Sequence, residues 1–331
     1  MKIAIYGAGA LGTVIGAFIA RAGYTVDLIT RNRDHLRGLQ QHGAHITGTV
    51  EMTVPVNAYA PEEMGVRYDF IFLLTKQQDN ETVVRMLAHH LAPDGALCTF
   101  QNGLPEQLIS SIIGPEKTFG CTVGWGATLS GNGTGELTSD PQHMTFELGQ
   151  YGAHVNTARL GELRGILESA GRVTVVDDFA GARWSKLLIN CSFSALSALL
   201  GCTLGEVVRR KKARDCVRCL LRECISVAGA NGVDIPMLRG PHNENGITRS
   251  IEGILSVIFR RHRHLTASLL HDLRSGKATE VEFINGTVRD RGGECHVPTP
   301  FCEKVIEIIH AIEGGTLKTG FDNVRLFDDL T

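Results

Sequence analysis

The sequence predicts an α/β chain in two parts: a mostly parallel sheet with added antiparallel strands over residues 1–178, then an all-helical part over residues 179–331. Three observations carry this expectation. Short apolar runs alternate with helix-patterned stretches through the first half, the signature of parallel α/β construction. A Gly7-Ala8-Gly9-Ala10-Leu11-Gly12 loop follows the first apolar run and opens a helical stretch. After Val173-Thr174-Val175-Val176 the texture turns helical to the end, which puts a boundary near Asp178.

Strands are expected over residues 2–6, 25–30, 69–74, 96–100 and 118–123, with helices over 11–21, 81–91 and 105–113. Residues 122–150 alternate and break at Gly131-Asn132-Gly133-Thr134-Gly135 and at Asp140-Pro141. They read as antiparallel strands extending the sheet. In the second half the pattern predicts helices over 181–200, 205–230, 247–261, 279–289 and 300–313. Asn231-Gly232 is a natural helix stop.

Composition excludes several classes. The chain has 331 residues, 43 % hydrophobic and 21 % charged, ordinary values for a globular protein. Its net charge of −2 offers no global attraction to nucleic acid or to an anionic membrane. The run Arg209-Arg210-Lys211-Lys212 sits in a stretch of alternating sign and reads as a solvated face. No apolar run reaches bilayer length, and no signal-peptide architecture stands at the N-terminus, so a cytoplasmic location is expected. Nine cysteines scattered through apolar segments suit reduced, buried thiols better than a disulfide framework. Cys216 and Cys219 form one CxxC with no second pair nearby, and no histidine spacing suggests a metal site.

The glycine loop fits G-x-G-x-x-G in the right context, with a strand before it, a helix after it and a second strand ending near Thr30. Gly7, Ala8, Gly9, Ala10, Leu11 and Gly12 are thus candidate dinucleotide-binding residues in a Rossmann-type half, with pyrophosphate on the helix N-terminus. The second strand ends Leu28-Ile29-Thr30-Arg31-Asn32-Arg33, with no acid at its tip for a ribose 2′-hydroxyl. Asp27 lies inside the strand. Arg31, and with it Arg33, offers positive charge for a 2′-phosphate, so NADP is expected over NAD. Lys76 and Asn102 leave further strand ends, where such sheets bind ligands.

A second constellation lies in the helical half. Lys186, Asn190 and Ser194 recur every fourth residue within an apolar helix, which places them on roughly one face. An ammonium beside an amide, half-withdrawn from water, suits proton donation to a developing oxyanion. The alternative is a lysine snorkelling from a core helix.

Together these segments resemble the ketopantoate reductase (2-dehydropantoate 2-reductase) family over essentially the full length. The resemblance rests on Gly7–Gly12 with Arg31, the strand ending in Lys76, Gln101-Asn102-Gly103, Trp184-Ser185-Lys186-Leu187-Leu188-Ile189-Asn190, and a late segment from Ser268 through Glu280 to Asn285-Gly286. It implies NADPH-dependent reduction of a 2-keto acid, with the site in a cleft between the two halves. Lys186 would be the general acid. Asn102 and Asn190 would orient lysine, nicotinamide and substrate. Ser268 would bind the substrate carboxylate. Glu280 would accept from a substrate hydroxyl and help hold Lys186, on the cofactor side as well, and Lys76 would reach the nicotinamide ribose.

The chain departs from the family at Ser194-Ala195, where asparagine then proline is usual, and at Cys202-Thr203-Leu204-Gly205, where an asparagine is usual. It also carries the basic run Arg260-Arg261-His262-Arg263-His264, readable as a solvated helix end or as a second anion site. Three functions remain open: reduction of 2-dehydropantoate in pantothenate synthesis, reduction of another 2-keto acid or related carbonyl by a paralogue, and a non-catalytic NADP-binding sensor. Small molecules are the expected partners, with no nucleic acid and no membrane. A homodimer is compatible with the helical half.

Overall fold

The computed structural model describes residues 1–152, 155–238 and 244–330. They divide into two compact units, one of residues 1–101 and 105–179, the other of residues 102–104 and 180–331.

The first unit begins β1 (Ile3–Tyr6), α1 (Ala10–Arg21), β2 (Val26–Ile29), α2 (Arg33–His42), β3 (Ala44–Gly48), β4 (Met52–Val54) and β5 (Asn57–Tyr59). It continues β6 (Tyr68–Leu73), α3 (Asn80–His90), β7 (Leu91–Thr99), α4 (Glu106–Ile113), β8 (Thr118–Val123), β9 (Ala127–Gly131), β10 (Thr134–Leu137), β11 (Thr145–Gln150), α5 (Thr157–Leu167) and β12 (Arg172–Val175). Eight strands form one sheet in the order β12-β11-β8-β7-β6-β1-β2-β5. From β8 to β5 all neighbours are parallel, and β11 joins antiparallel to β8. The chain leaves β1 toward β2 on one side and returns to β6 on the other, so the order reverses between β1 and β6. That switch point is where doubly wound sheets open a ligand crevice.

Both faces of this sheet are covered. In β1, Ile3 and Ile5 join one apolar cluster while Ala4 and Tyr6 join another, and in β6 Phe70 and Phe72 separate from Ile71 and Leu73 in the same way. The period of two of a strand therefore feeds two cores. Phe72, Phe100, Phe146 and Trp125 continue the first of them as a chain of ring contacts at 5.3, 6.4 and 5.8 Å.

The expectation for residues 122–150 needs one correction. Only β11 extends the main sheet. β9 and β10 pair with each other in a separate four-stranded sheet of order β4-β3-β10-β9. The cause is long-range: β10 lies parallel to β3, with Thr134 opposite His45. His35 holds this small sheet to the helices. Gly133 N–H donates to its Nδ1 at 3.0 Å, so Nε2 carries the proton toward Thr13 Oγ1, 2.9 Å away.

Among its described residues the second unit is built of helices: α6 (Phe179–Ile189), α7 (Ala195–Leu200), α8 (Leu204–Arg209), α9 (Lys211–Ala230), α10 (Glu244–Arg261), α11 (Ser268–Arg274), α12 (Val281–Glu294) and α13 (Pro300–Glu313), then a 3₁₀ stretch at Phe321–Leu330. The expected helix over 205–230 is two helices, because Arg210 takes an extended conformation (φ −88°, ψ 120°). Thr203 and Glu206 form a reciprocal capping box at the start of α8. The expected helix over 181–200 is continuous, but its middle turn, Asn190–Ser194, is widened to a π turn.

Candidate functional site

In the first unit the glycine loop is shaped by backbone proximity. Gly7 has φ +103°, and a Cβ there would lie 2.6 Å from Thr75 N. A Cβ on Gly12 would lie 2.5 Å from Gly7 O. Glycine is required at both positions. Gly9 is different: it is exposed, and a Cβ on it would meet nothing within 4 Å. Gly9 is also the N-cap of α1, with no side-chain cap and no acid in the first turn. The opening amides of α1 thus keep their donors, beside an open glycine, at the positive end of a helix. This cradle fits a pyrophosphate.

Arg31 stands beside this loop. Asn32 caps α2, accepting from Asp34 N and His35 N at 3.1 Å, and its own amide donates to Thr30 Oγ1. That cap fixes the backbone from which Arg31 projects. Arg31 is exposed and meets Asp79 at 3.3 Å, while Arg33 pairs with Glu62. Such exposed pairs contribute only ~0–1 kcal/mol and yield to a better anion. Asp27 is already engaged, accepting from Tyr68 Oη at 2.9 Å and Asn57 Nδ2 at 3.2 Å. Burial and this pairing push the Tyr68 hydroxyl pKa well up. Lys76, half-buried, leaves β6 just after Thr75. Gln101 closes this edge from the end of β7, donating to Thr75 O and Asn80 Oδ1 at 2.8 Å and accepting from Thr99 Oγ1 at 3.0 Å.

In the second unit, four sequence-predicted residues form one chain of polar contacts. Asn102 Nδ2 donates to Glu280 Oε2 at 3.5 Å, Asn190 Nδ2 donates to Asn102 Oδ1 at 3.5 Å, and Ser194 Oγ donates to Asn190 Oδ1 at 3.4 Å. All three lie at the long end of hydrogen bonding, a geometry open to exchange for substrate atoms. Lys186 is half-buried, one turn before Asn190, in the last turn of α6. Ser268 is exposed in the first turn of α11, and no hydrogen bond among the described residues joins it to this chain.

The π turn supports the arrangement. Widening a helix strands backbone carbonyls, and here side chains take them up. Ser192 Oγ donates to Leu188 O at 2.6 Å, and the fully buried Asn285 donates to Cys191 O at 2.8 Å. Gln101, Ser192 and Asn285 were not separately predicted as site residues, although Gln101 and Asn285 lie within the segments that carried the resemblance.

Cys216 lies outside this site. Burial pushes its thiol up to about 12, far from the reactive thiolate range. No helix among the described residues is long and apolar enough to cross a membrane.

Comparison with known proteins covers both units of the chain. The model of the family described as ketopantoate reductase PanE/ApbA matches residues 3–151, and the model of its C-terminal part matches residues 178–313. A 2-dehydropantoate 2-reductase of Streptococcus pyogenes serotype M6 is 26 % identical over 317 residues, covering 95 % of this chain and 98 % of that protein. The crystal structure of a PanE/ApbA family ketopantoate reductase from Ralstonia eutropha JMP134 superposes with a TM-score of 0.82 at 25 % identity, over 95 % of this chain and 99 % of that one. A D-mandelate dehydrogenase solved with NADH and anilino(oxo)acetate shares the fold, with a TM-score of 0.84 at 23 % identity and the same coverage. The chain belongs to the PanE/ApbA ketopantoate reductase family, oxidoreductases that act on a carbonyl–hydroxyl pair.

Proposed function

We propose that the protein reduces 2-dehydropantoate to (R)-pantoate with NADPH, Lys186 acting as general acid. The observation that carries this reading is the contact chain Ser194–Asn190–Asn102–Glu280, gathered in the unit that holds Lys186 one turn away. Bound NADPH would supply a hydride to C2 of the keto acid. The carbonyl oxygen then gains charge, and the Lys186 ammonium gives it a proton. Asn102 and Asn190 hold the oxygen and the lysine in register. Glu280 accepts from a substrate hydroxyl and keeps Lys186 oriented. Ser268, exposed on α11, takes the substrate carboxylate.

The first unit holds the cofactor. The glycine loop and the opening amides of α1 receive the pyrophosphate, Lys76 reaches the nicotinamide ribose, and Arg31 receives the 2′-phosphate. The lack of an acid at the tip of β2 supports NADPH over NADH, since Asp27 lies inside the strand and accepts there from Tyr68 and Asn57.

One observation favours a second reading, the same chemistry on another 2-keto acid. Ser194 stands where the family usually carries asparagine, is nearly buried, and donates to the Asn190 oxygen. A side chain of different size and donor set at this point alters what the pocket accepts. The D-mandelate dehydrogenase shows that this fold also serves another substrate. NADPH consumption over a panel of 2-keto acids separates the two. The first reading predicts the highest kcat/KM on 2-dehydropantoate, and a place among the poorest substrates would rule it out.

A further inference from the structure

Glu280 has an unusual local setting. It is the N-cap of α12, with φ −99° and ψ 26°, yet its side chain caps nothing. The task passes to its neighbour: Thr279 Oγ1 accepts from Val281 N at 3.3 Å. The Glu280 carboxylate accepts from Asn102 Nδ2, 3.5 Å away.

The last turn of α13 holds the residues on both sides of Glu280. The amide of the buried Thr279, which precedes the helix and has no intrahelical acceptor, donates to Glu313 Oε1 at 2.7 Å. Glu282, two residues after Glu280, meets His310 Nε2 through Oε1 at 2.8 Å. His310 Nδ1 in turn meets Glu313 Oε2 at 2.9 Å, which joins the two attachments. His310 and Glu313 are one helical turn apart on α13, so a single rigid element fixes residues 279 and 282 with Glu280 between them. The two carboxylates face both ring nitrogens and raise the His310 pKa.

We propose that Glu313 and His310 are positioning residues that clamp the α12 N-terminus and so aim the Glu280 carboxylate. The proposal rests on the reading that Glu280 meets the substrate. A carboxylate displaced by about 1 Å from its productive place costs on the order of tenfold to a hundredfold in rate.

The test is a double-mutant cycle on the full-length protein, reading kcat and KM for the keto acid and Kd for NADPH. Glu313→Ala should lower kcat/KM at least tenfold and leave the NADPH Kd unchanged. Glu313→Gln keeps an acceptor for the Thr279 amide and should recover most of the loss. In a Glu280→Ala background, Glu313→Ala should have little further effect, because it acts through the group already removed. Wild-type kcat/KM in Glu313→Ala, or losses that simply multiply in the double variant, would overturn the clamp. A harmless Glu280→Ala would instead overturn the underlying reading of the site. Should Glu313→Ala fail to fold, His310→Ala, on a half-exposed side chain, replaces it in the cycle, where the same results support or overturn the clamp.

Discussion

At the residue scale, the two constellations differ in how much sequence can specify. Gly7 and Gly12 were legible because their reason is local: a tight turn with backbone 2.5–2.6 Å from where a Cβ would sit. Arg31 was read by elimination, from the lack of an acid at the tip of β2, where Asp27 lies inside the strand and accepts from Tyr68 and Asn57. Arg31→Ala should raise the KM for NADPH by roughly 10–100-fold, the value of one or two charge-assisted bonds, and leave the KM for NADH nearly unchanged. Steady-state kinetics with both cofactors checks this, and an equal loss with each would remove Arg31 from 2′-phosphate recognition. Glu280 illustrates the limit: its resemblance was readable, but Glu313 and His310 lie about thirty residues further on, with no spacing that announces them.

At the scale of the element, the strands that were well predicted are those buried on both faces, where every residue contributes to the signal. The β9–β10 hairpin was legible as a hairpin and not as a member of the small sheet, because alternation is local while its pairing with β3 is remote. The π turn was invisible for the same reason. Lys186, Asn190 and Ser194 keep a spacing of four, whereas the carbonyl that the widened turn frees is satisfied by Asn285, 94 residues away. Two elements carry stability predictions. Buried Glu223 accepts from Phe301 N at 2.7 Å and Cys302 N at 2.9 Å, capping the start of α13. Glu223→Ala should cost about 1–3 kcal/mol by leaving those amides unpaired, measured by denaturant unfolding with m unchanged. His35 is buried and its pKa is lowered by that burial. A depressed histidine stabilises the fold fully above the unfolded value near 6.5 and loses that contribution as pH falls toward the folded value. Thermal melts should therefore fall more steeply below pH 6.5 in the wild type than in His35→Asn, and parallel profiles would contradict a neutral imidazole at this position.

At the scale of the whole molecule, the division of labour follows from the fold. A parallel sheet with its switch point between β1 and β6 carries the glycine loop, and a helical unit with its own core carries Lys186 and the polar contacts of Asn102, Asn190, Ser194 and Glu280. Residues 102–104 group with the helical unit although the chain reaches them from β7, which explains how Asn102 contacts both Asn190 and Glu280. The fold class and family were legible because glycine loop, strand ends and late helical segment occur in a fixed order. Substrate identity was less legible, since the chain departs from the family's usual residues at positions such as Ser194. The most direct test of the central claim is NADPH oxidation by the purified protein with 2-dehydropantoate, wild type against Lys186→Ala. The account predicts turnover reduced by ~10²–10⁴-fold in the variant, with NADPH affinity within about a factor of two. Near-normal turnover in Lys186→Ala would contradict it.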